Sequence, residues 1–317
     1  MTAFPAPRLT GVIPPVCTPM TADGALDAAS LERLVDHLLG AGVDAMFVLG
    51  SSGETAFLPD EDRIRVVETT VARVAGRVPV LAGAIDMTTP RVLEHARGAV
   101  KAGAVGVVAT APFYTRTHPA EIERHFRLLA ERIEVPLYAY DLPVAVHTKL
   151  PADLLLRLAE DGVLAGVKDS SGDDNALRDL LVARADRGLA DRFSVLTGSE
   201  LTVDAALRAG ADGVVPGLGN VDPDGYVRLA RLCAARDWDG AAAEQVRLVR
   251  LFRIVAAGGE DRMGRNSSAI GAFKAALHLR GVIAHGTTAA PQIPLNEREI
   301  ETVRGLLVEA GLLGGGL

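Results

Sequence analysis

The chain has 317 residues, a formal net charge of −7 and a pI near 5.6, and 49% of it is hydrophobic. That length allows one large α/β barrel or two domains. The acidic balance argues against a nucleic-acid binder, which would show a basic stripe. No stretch of about 18 apolar residues runs free of charge and turn residues, so no transmembrane helix or membrane partner is expected. The N-terminal MTAFPAPRLTG has no apolar core of a signal peptide, and a cytoplasmic protein is the expectation. Cys17 and Cys233 lie far apart without Cys-x-x-Cys spacing, so neither a disulfide framework nor a zinc site is expected.

Short β-rich runs recur along the chain: TGVIPPVCTP (10–19), DAMFVLG (44–50), VPVLAGA (78–84), VGVVATAP (105–112), VPLYAYDL (135–142), LAGVKDS (164–170), FSVLTGS (193–199) and DGVVPG (212–217). Between them lie helical patterns such as SLERLVDHLLGAG and AEIERHFRLLAERI, with apolar residues every three or four and Arg and Glu on the other face. Gly42, Gly76, Gly103 and Gly210 stand where helices should end, and Ser30 and Asp60 where two should be capped. Strands that are apolar nearly throughout, alternating with helices, predict a parallel sheet buried on both faces. Eight such units by about residue 217 predict a closed (β/α)₈ barrel. No G-x-G-x-x-G follows the first strand, which argues against a doubly wound sheet. Residues 1–221 are read as the catalytic barrel and 222–317 as a C-terminal helical extension.

In such barrels the active site lies at the C-terminal ends of the strands. Lys168 ends the sixth strand as its only cation. Apolar walls disfavour a charged amine, and a neutral amine attacks ketones to form a Schiff base. Position alone equally allows an ion pair with a neighbouring carboxylate. Gly50-Ser51-Ser52-Gly53-Glu54 ends the second strand, where two hydroxyls and free backbone amides can hold a carboxylate. The same residues also make an ordinary turn, with Glu54 fixing the loop. Tyr140 and Tyr114 follow the fifth and fourth strands. A phenol there can pass protons to a carbinolamine, or it can simply pack with its hydroxyl satisfied locally. Cys17 reads as a small buried residue rather than a reactive thiol.

Taken together, GSSGE (50–54), PFY (112–114), YDLP (140–143), GVKDSSGD (166–173), LTGSE (196–200) and GVVPG (213–217) resemble the dihydrodipicolinate synthase / N-acetylneuraminate lyase family of pyruvate-linked class I aldolases. The resemblance implies that Lys168 forms the Schiff base with pyruvate or another 2-keto acid, with an aldehyde as the second small molecule. It implies that Ser51, Ser52 and Gly53 hold the carboxylate and that Tyr140 shuttles the proton. Tyr114 would complete a relay through Ser51 across a subunit interface, in a homotetramer built as a dimer of dimers. Gly198 and Val215 would contact the bound keto acid, and no metal or organic cofactor would be needed.

Departures from the family pattern bear on the substrate. The arginine that binds the semialdehyde carboxylate in true dihydrodipicolinate synthases is replaced by Ala145, and a methyl group cannot make that bidentate contact. Phe113 stands for the first tyrosine of the usual pair, and Asp169 for the usual glutamate. The KDSSGD run resembles branches acting on 2-keto-3-deoxy sugar acids or 4-hydroxy-2-oxoglutarate. On that reading Ser170, Ser171 and His147 would hydrogen-bond the substrate's tail, although His147 reads equally well as a loop residue. Relatives that dehydrate or decarboxylate the bound keto acid, and a non-catalytic keto-acid sensor, are the alternative readings.

Overall fold

The computed structural model describes residues 8–314. Its eight strands are β1 (Gly11–Val12), β2 (Met46–Val48), β3 (Val80–Gly83), β4 (Gly106–Thr110), β5 (Leu137–Asp141), β6 (Gly166–Asp169), β7 (Ser194–Thr197) and β8 (Gly213–Val214). All pairs are parallel, each strand beside its sequence neighbour, and β1 pairs with β8. The ring closes between β1 and β2. Just beyond β1, Pro15 bridges to Phe47, and the Val16 N–H donates to the Phe47 carbonyl at 2.9 Å. The first strand is much shorter than the run 10–19 that predicts it, because Pro14 and Pro15 have no N–H to give a ladder. The expected (β/α)₈ barrel is the fold found.

Around the strands run α1 (Ala28–Ala41), α2 (Asp60–Val74), α3 (Thr89–Lys101), α4 (Pro119–Ala130), the short α5 (Pro143–Val146), α6 (Ala152–Glu160), α7 (Asp174–Asp186), α8 (Val203–Arg208) and α9 (Pro223–Ala234). Gly42, Gly76, Gly103 and Gly210 all have positive φ, as helix-ending glycines should. The expected caps shift slightly. Asp27 caps α1 by accepting the Ser30 N–H at 3.0 Å, while Asp60 opens α2 behind Pro59.

Packed against α8, α1 and β1, α9 is the helix of the eighth βα unit, which therefore runs past residue 221 to Ala234. Beyond it come α10 (Trp238–Phe252), α11 (Arg265–Leu279) and α12 (Glu297–Glu309). The turn Gly217–Asn220 that follows β8 lies against α11, so the extension reaches the mouth of the barrel. Among the described residues no helix is long and apolar enough to cross a membrane.

Strand parity decides what enters the barrel. Leu81, Val108, Tyr138, Tyr140 and Leu196 share one interior cluster, whereas Val107, Leu137, Ala139, Val167 and Val195 pack outward under the helices. A Cβ on Gly106 or on Gly166 would meet the Tyr138 ring, at 3.2 Å and 3.0 Å, so these glycines make room for the tyrosine that fills the barrel floor. The parity that turns Val167 outward turns Lys168 inward, two residues above Gly166.

Candidate active site

Lys168 and Tyr140 are direct Cα partners on the β5–β6 ladder. The amine, only 6% exposed, sits 4.1 Å from the Tyr140 ring centroid and 5.1 Å from that of Phe47. Phe47 meets Tyr140 edge to face, with centroids 6.2 Å apart. Phe47 was not among the candidates from sequence, because every residue of β2 is apolar and buried and no alternation marks its inner face.

The ion-pair reading of Lys168 loses its partners to another lysine. Asp141 and Asp169, outward neighbours at the ends of the same two strands, are both bridged by Lys149, whose Nζ lies 3.4 Å from Asp169 Oδ2. Among the described residues no carboxylate forms an ion pair with Lys168. Burial nevertheless pushes the Asp141 carboxyl up despite Lys149. Asp169 also accepts from the Ser171 N–H and hydroxyl, at 2.8 Å and 2.6 Å. That commits Ser171 to the loop.

The Tyr140 hydroxyl lies 3.3 Å from Ser51 Oγ. Burial by itself would push this phenol up. The Lys168 charge, with the Ser51, Lys168 and Ser170 side chains around the hydroxyl, outweighs burial, and the net direction is down. A phenol that releases its proton more readily beside an amine can serve as acid and base to one reacting centre.

Backbone bonds fold the GSSGE segment into a tight turn: Gly53 N–H donates to Gly50 O at 3.1 Å and Glu54 N–H to Ser51 O at 3.0 Å. Thr18 ties the turn to the first strand by donating to the Gly53 carbonyl at 2.8 Å. Glu54 takes a left-handed backbone with φ of 58° and points away from the cleft. Its buried carboxylate accepts from the Ala289 N–H at 2.7 Å and the Gln292 amide at 2.6 Å, and pairs with the fully buried Lys274 of α11. Lys274 in turn donates to the Thr287 carbonyl at 2.8 Å. Cys17 lies buried beside this pair, its thiol pushed up to about 12 by desolvation, which suits the inert role expected of it.

These residues surround a cleft of about 810 Å³. Of the expected site residues, Ser51, Ser52, Tyr140, Lys168, Ser170, Gly198 and Val215 line it. Gly198 approaches so closely that a Cβ there would lie 2.0 Å from Ser170 Oγ. Gly53 lies behind the lining, within the turn, and His147, at a left-handed φ of 57° after α5, does not reach it. Tyr114 also stands apart, 88% exposed with φ of 77°. Within one chain the relay from Tyr114 to Ser51 is not assembled.

Two further features came only with the fold. Glu200 lines the cleft, and burial pushes its carboxyl up to about 7 even though it accepts the Leu218 N–H and feels the Lys168 charge. Residues from 252 to 273, in α10, α11 and the segment between them, supply a whole wall. Glu200 closes the LTGSE run after β7, but its role could not be read from that run, and the wall comes from segments distant in the chain.

The model of the Dihydrodipicolinate synthetase family matches residues 8–310. A 4-hydroxy-tetrahydrodipicolinate synthase of Gluconacetobacter diazotrophicus is 34% identical over 312 residues, which is 96% of this chain and 97% of that protein. Among solved structures, YagE, a prophage protein of the dihydrodipicolinic acid synthase family from E. coli K12 in complex with pyruvate, superposes with a TM-score of 0.89 at 29% identity, covering 96% of this chain and 99% of that one. Dihydrodipicolinate synthase from Bacteroides thetaiotaomicron gives 0.88 at 30% identity, covering 95% and 98%. With its barrel, its inward lysine and its match along nearly the whole length, the chain belongs to the dihydrodipicolinate synthetase family and so to the class I, lysine-imine lyases.

Proposed function

We propose that this enzyme cleaves, or in reverse forms, the C3–C4 bond of a 4-hydroxy-2-keto acid, with pyruvate as product or donor. Such acids include the 2-keto-3-deoxy sugar acids and 4-hydroxy-2-oxoglutarate. The observation that carries the reading is the buried Lys168 amine against the Tyr140 ring, with Ser51 at the tyrosine's hydroxyl. The lysine attacks the 2-keto carbon, water leaves, and the protonated imine becomes an electron sink. Tyr140 takes the C4 hydroxyl proton as the C3–C4 electrons flow to the imine. The aldehyde departs, the enamine is reprotonated at C3, and hydrolysis frees pyruvate. Ser51 and Ser52 hold the keto-acid carboxylate. A methyl group at Ala145, facing the cleft, supports a substrate other than aspartate semialdehyde.

Glu200 favours a second outcome on the same imine. A carboxyl that holds its proton near neutrality can donate it to a leaving hydroxyl, which would make the reaction a dehydration. Incubation with 2-keto-3-deoxygluconate, 4-hydroxy-2-oxoglutarate and N-acetylneuraminate, read by lactate dehydrogenase for pyruvate and by mass for water or CO₂ loss, separates the two. Pyruvate release supports cleavage. Water loss without pyruvate replaces it with dehydration, and silence across this panel and across 4-hydroxy-2-keto acids with alkyl or aryl C4 substituents favours a keto-acid-binding protein. The exposed Tyr114 ring on a left-handed backbone supports assembly into a homotetramer in which a second copy covers it.

A further inference from the structure

The cleft is far larger than a three-carbon keto acid requires, and its lining mixes hydroxyls with a larger set of apolar side chains. Hydroxyls gather around Lys168: Ser51, Ser52, Tyr140 and Ser170. Much of the remaining lining is apolar: Leu142, Val144, Phe252, Val255, Met263 and Ile270. Two polar side chains among these segments are engaged elsewhere. Ser268 donates to the Val255 carbonyl at 2.7 Å and accepts the Gly258 N–H at 2.9 Å. Asn266 donates to Gln292 Oε1 at 3.1 Å. Arg265, out at the rim, pairs with Glu260 through Nε at 3.0 Å and is mostly solvated. A polyhydroxylated tail would find few free partners there, and its hydroxyls would lose water without compensation. Of the three residues expected to serve such a tail, Ser170 lines the cleft beside Lys168, whereas His147 and Ser171 lie outside the lining. A carboxylated tail would meet the Ala145 methyl and the Glu200 carboxyl.

We infer that this apolar lining receives an apolar group, so that the C4 substituent of the keto acid, and hence the aldehyde partner, is an alkyl or aryl group. The inference rests on the imine reading and narrows its substrate. An apolar group continuous with the imine site gains from leaving water, and one methylene more or less in such a pocket changes kcat/KM by roughly 10–200-fold.

The test runs the enzyme in the condensing direction, with pyruvate and each of benzaldehyde, hexanal, glyceraldehyde and glyoxylate. Borohydride trapping of pyruvate on Lys168 is measured in parallel. The rim variant Val144→Asn probes the apolar lining, since Val144 is 81% exposed and its change leaves the core alone. The expected result is trapping, a kcat/KM for benzaldehyde or hexanal at least about tenfold above that for the two polar aldehydes, and a severalfold drop of that ratio in Val144→Asn. Trapping with glyceraldehyde or glyoxylate preferred, or a ratio untouched by the variant, overturns the role of the apolar lining while leaving the imine standing. Absence of trapping removes the imine reading and this inference with it.

Discussion

Lys168 and Tyr140 face each other across one rung of the β5–β6 ladder, with the amine 4.1 Å from the ring centroid. Parallel pairing fixes that geometry through backbone bonds at the strand ends, where a barrel is rigid. The tyrosine hydroxyl is then brought to Ser51 by the turn after β2, so that the proposed nucleophile, proton carrier and carboxylate site come from three strands.

Tyr140→Phe keeps the ring that packs on Phe47 and Lys168 but removes the hydroxyl. It should lower kcat by roughly 10²–10⁴ while borohydride trapping of pyruvate persists, slowed. Steady-state kinetics beside mass spectrometry check this. Unchanged kcat would move the proton transfer to another group, with Glu200 next in line.

Tyr114→Phe should slow turnover by about tenfold or more with pyruvate binding retained, if the phenol acts from a second copy. Tyr114→Ala should in addition shift the mass seen by sedimentation velocity toward smaller species. Equal activity and equal mass in both variants would end the relay assignment.

Glu54→Gln leaves Lys274 buried without its counter-charge. Breaking a buried pair in this way costs roughly 3–5 kcal/mol, so the melting temperature should fall by about 4–8 °C. The loosened turn should also raise KM for pyruvate through Ser51 and Ser52. The double variant Glu54→Gln/Lys274→Met removes the orphaned charge and should recover much of the melting temperature. Scanning calorimetry on the three proteins decides the matter.

Glu200 gives stability a pH dependence of known sign. Its carboxyl is raised by burial to about 7 in the folded chain, against an ordinary value of 4.5. Between those values the folded state keeps a proton that the unfolded state has released, so this group's contribution falls as pH rises, levelling off above about 7. Glu200→Gln removes the titration. Its melting temperature should therefore fall less than the parent's between pH 5 and 7.5. Parallel curves would mean that Glu200 is ionised throughout.

Much of the fold was legible in the sequence, because a parallel barrel repeats one signal, an apolar run followed by an amphipathic helix. Lys168 and Tyr140 were legible for a related reason: a charged or phenolic residue at the end of such a run stands out. What escaped was set by packing between segments far apart in the chain. The Glu54–Lys274 pair joins the turn after β2 to α11, and nothing local in either segment names the other. Phe47 was hidden inside a strand apolar on both faces. His147 went the other way: it looked available in the loop after Tyr140, yet α5 turns it from the cleft. The wall from Phe252 to Phe273 reads from sequence only as amphipathic helix, and it becomes part of the site because α11 lies over the mouth of the barrel.

Lys168 as the nucleophile is tested most directly by peptide mass mapping after incubation with pyruvate and borohydride. The predicted result is one reduced pyruvyl adduct per chain, on Lys168, absent from Lys168→Ala. An unmodified Lys168 in folded protein, or an adduct carried by Lys149 or Lys274 instead, would contradict it.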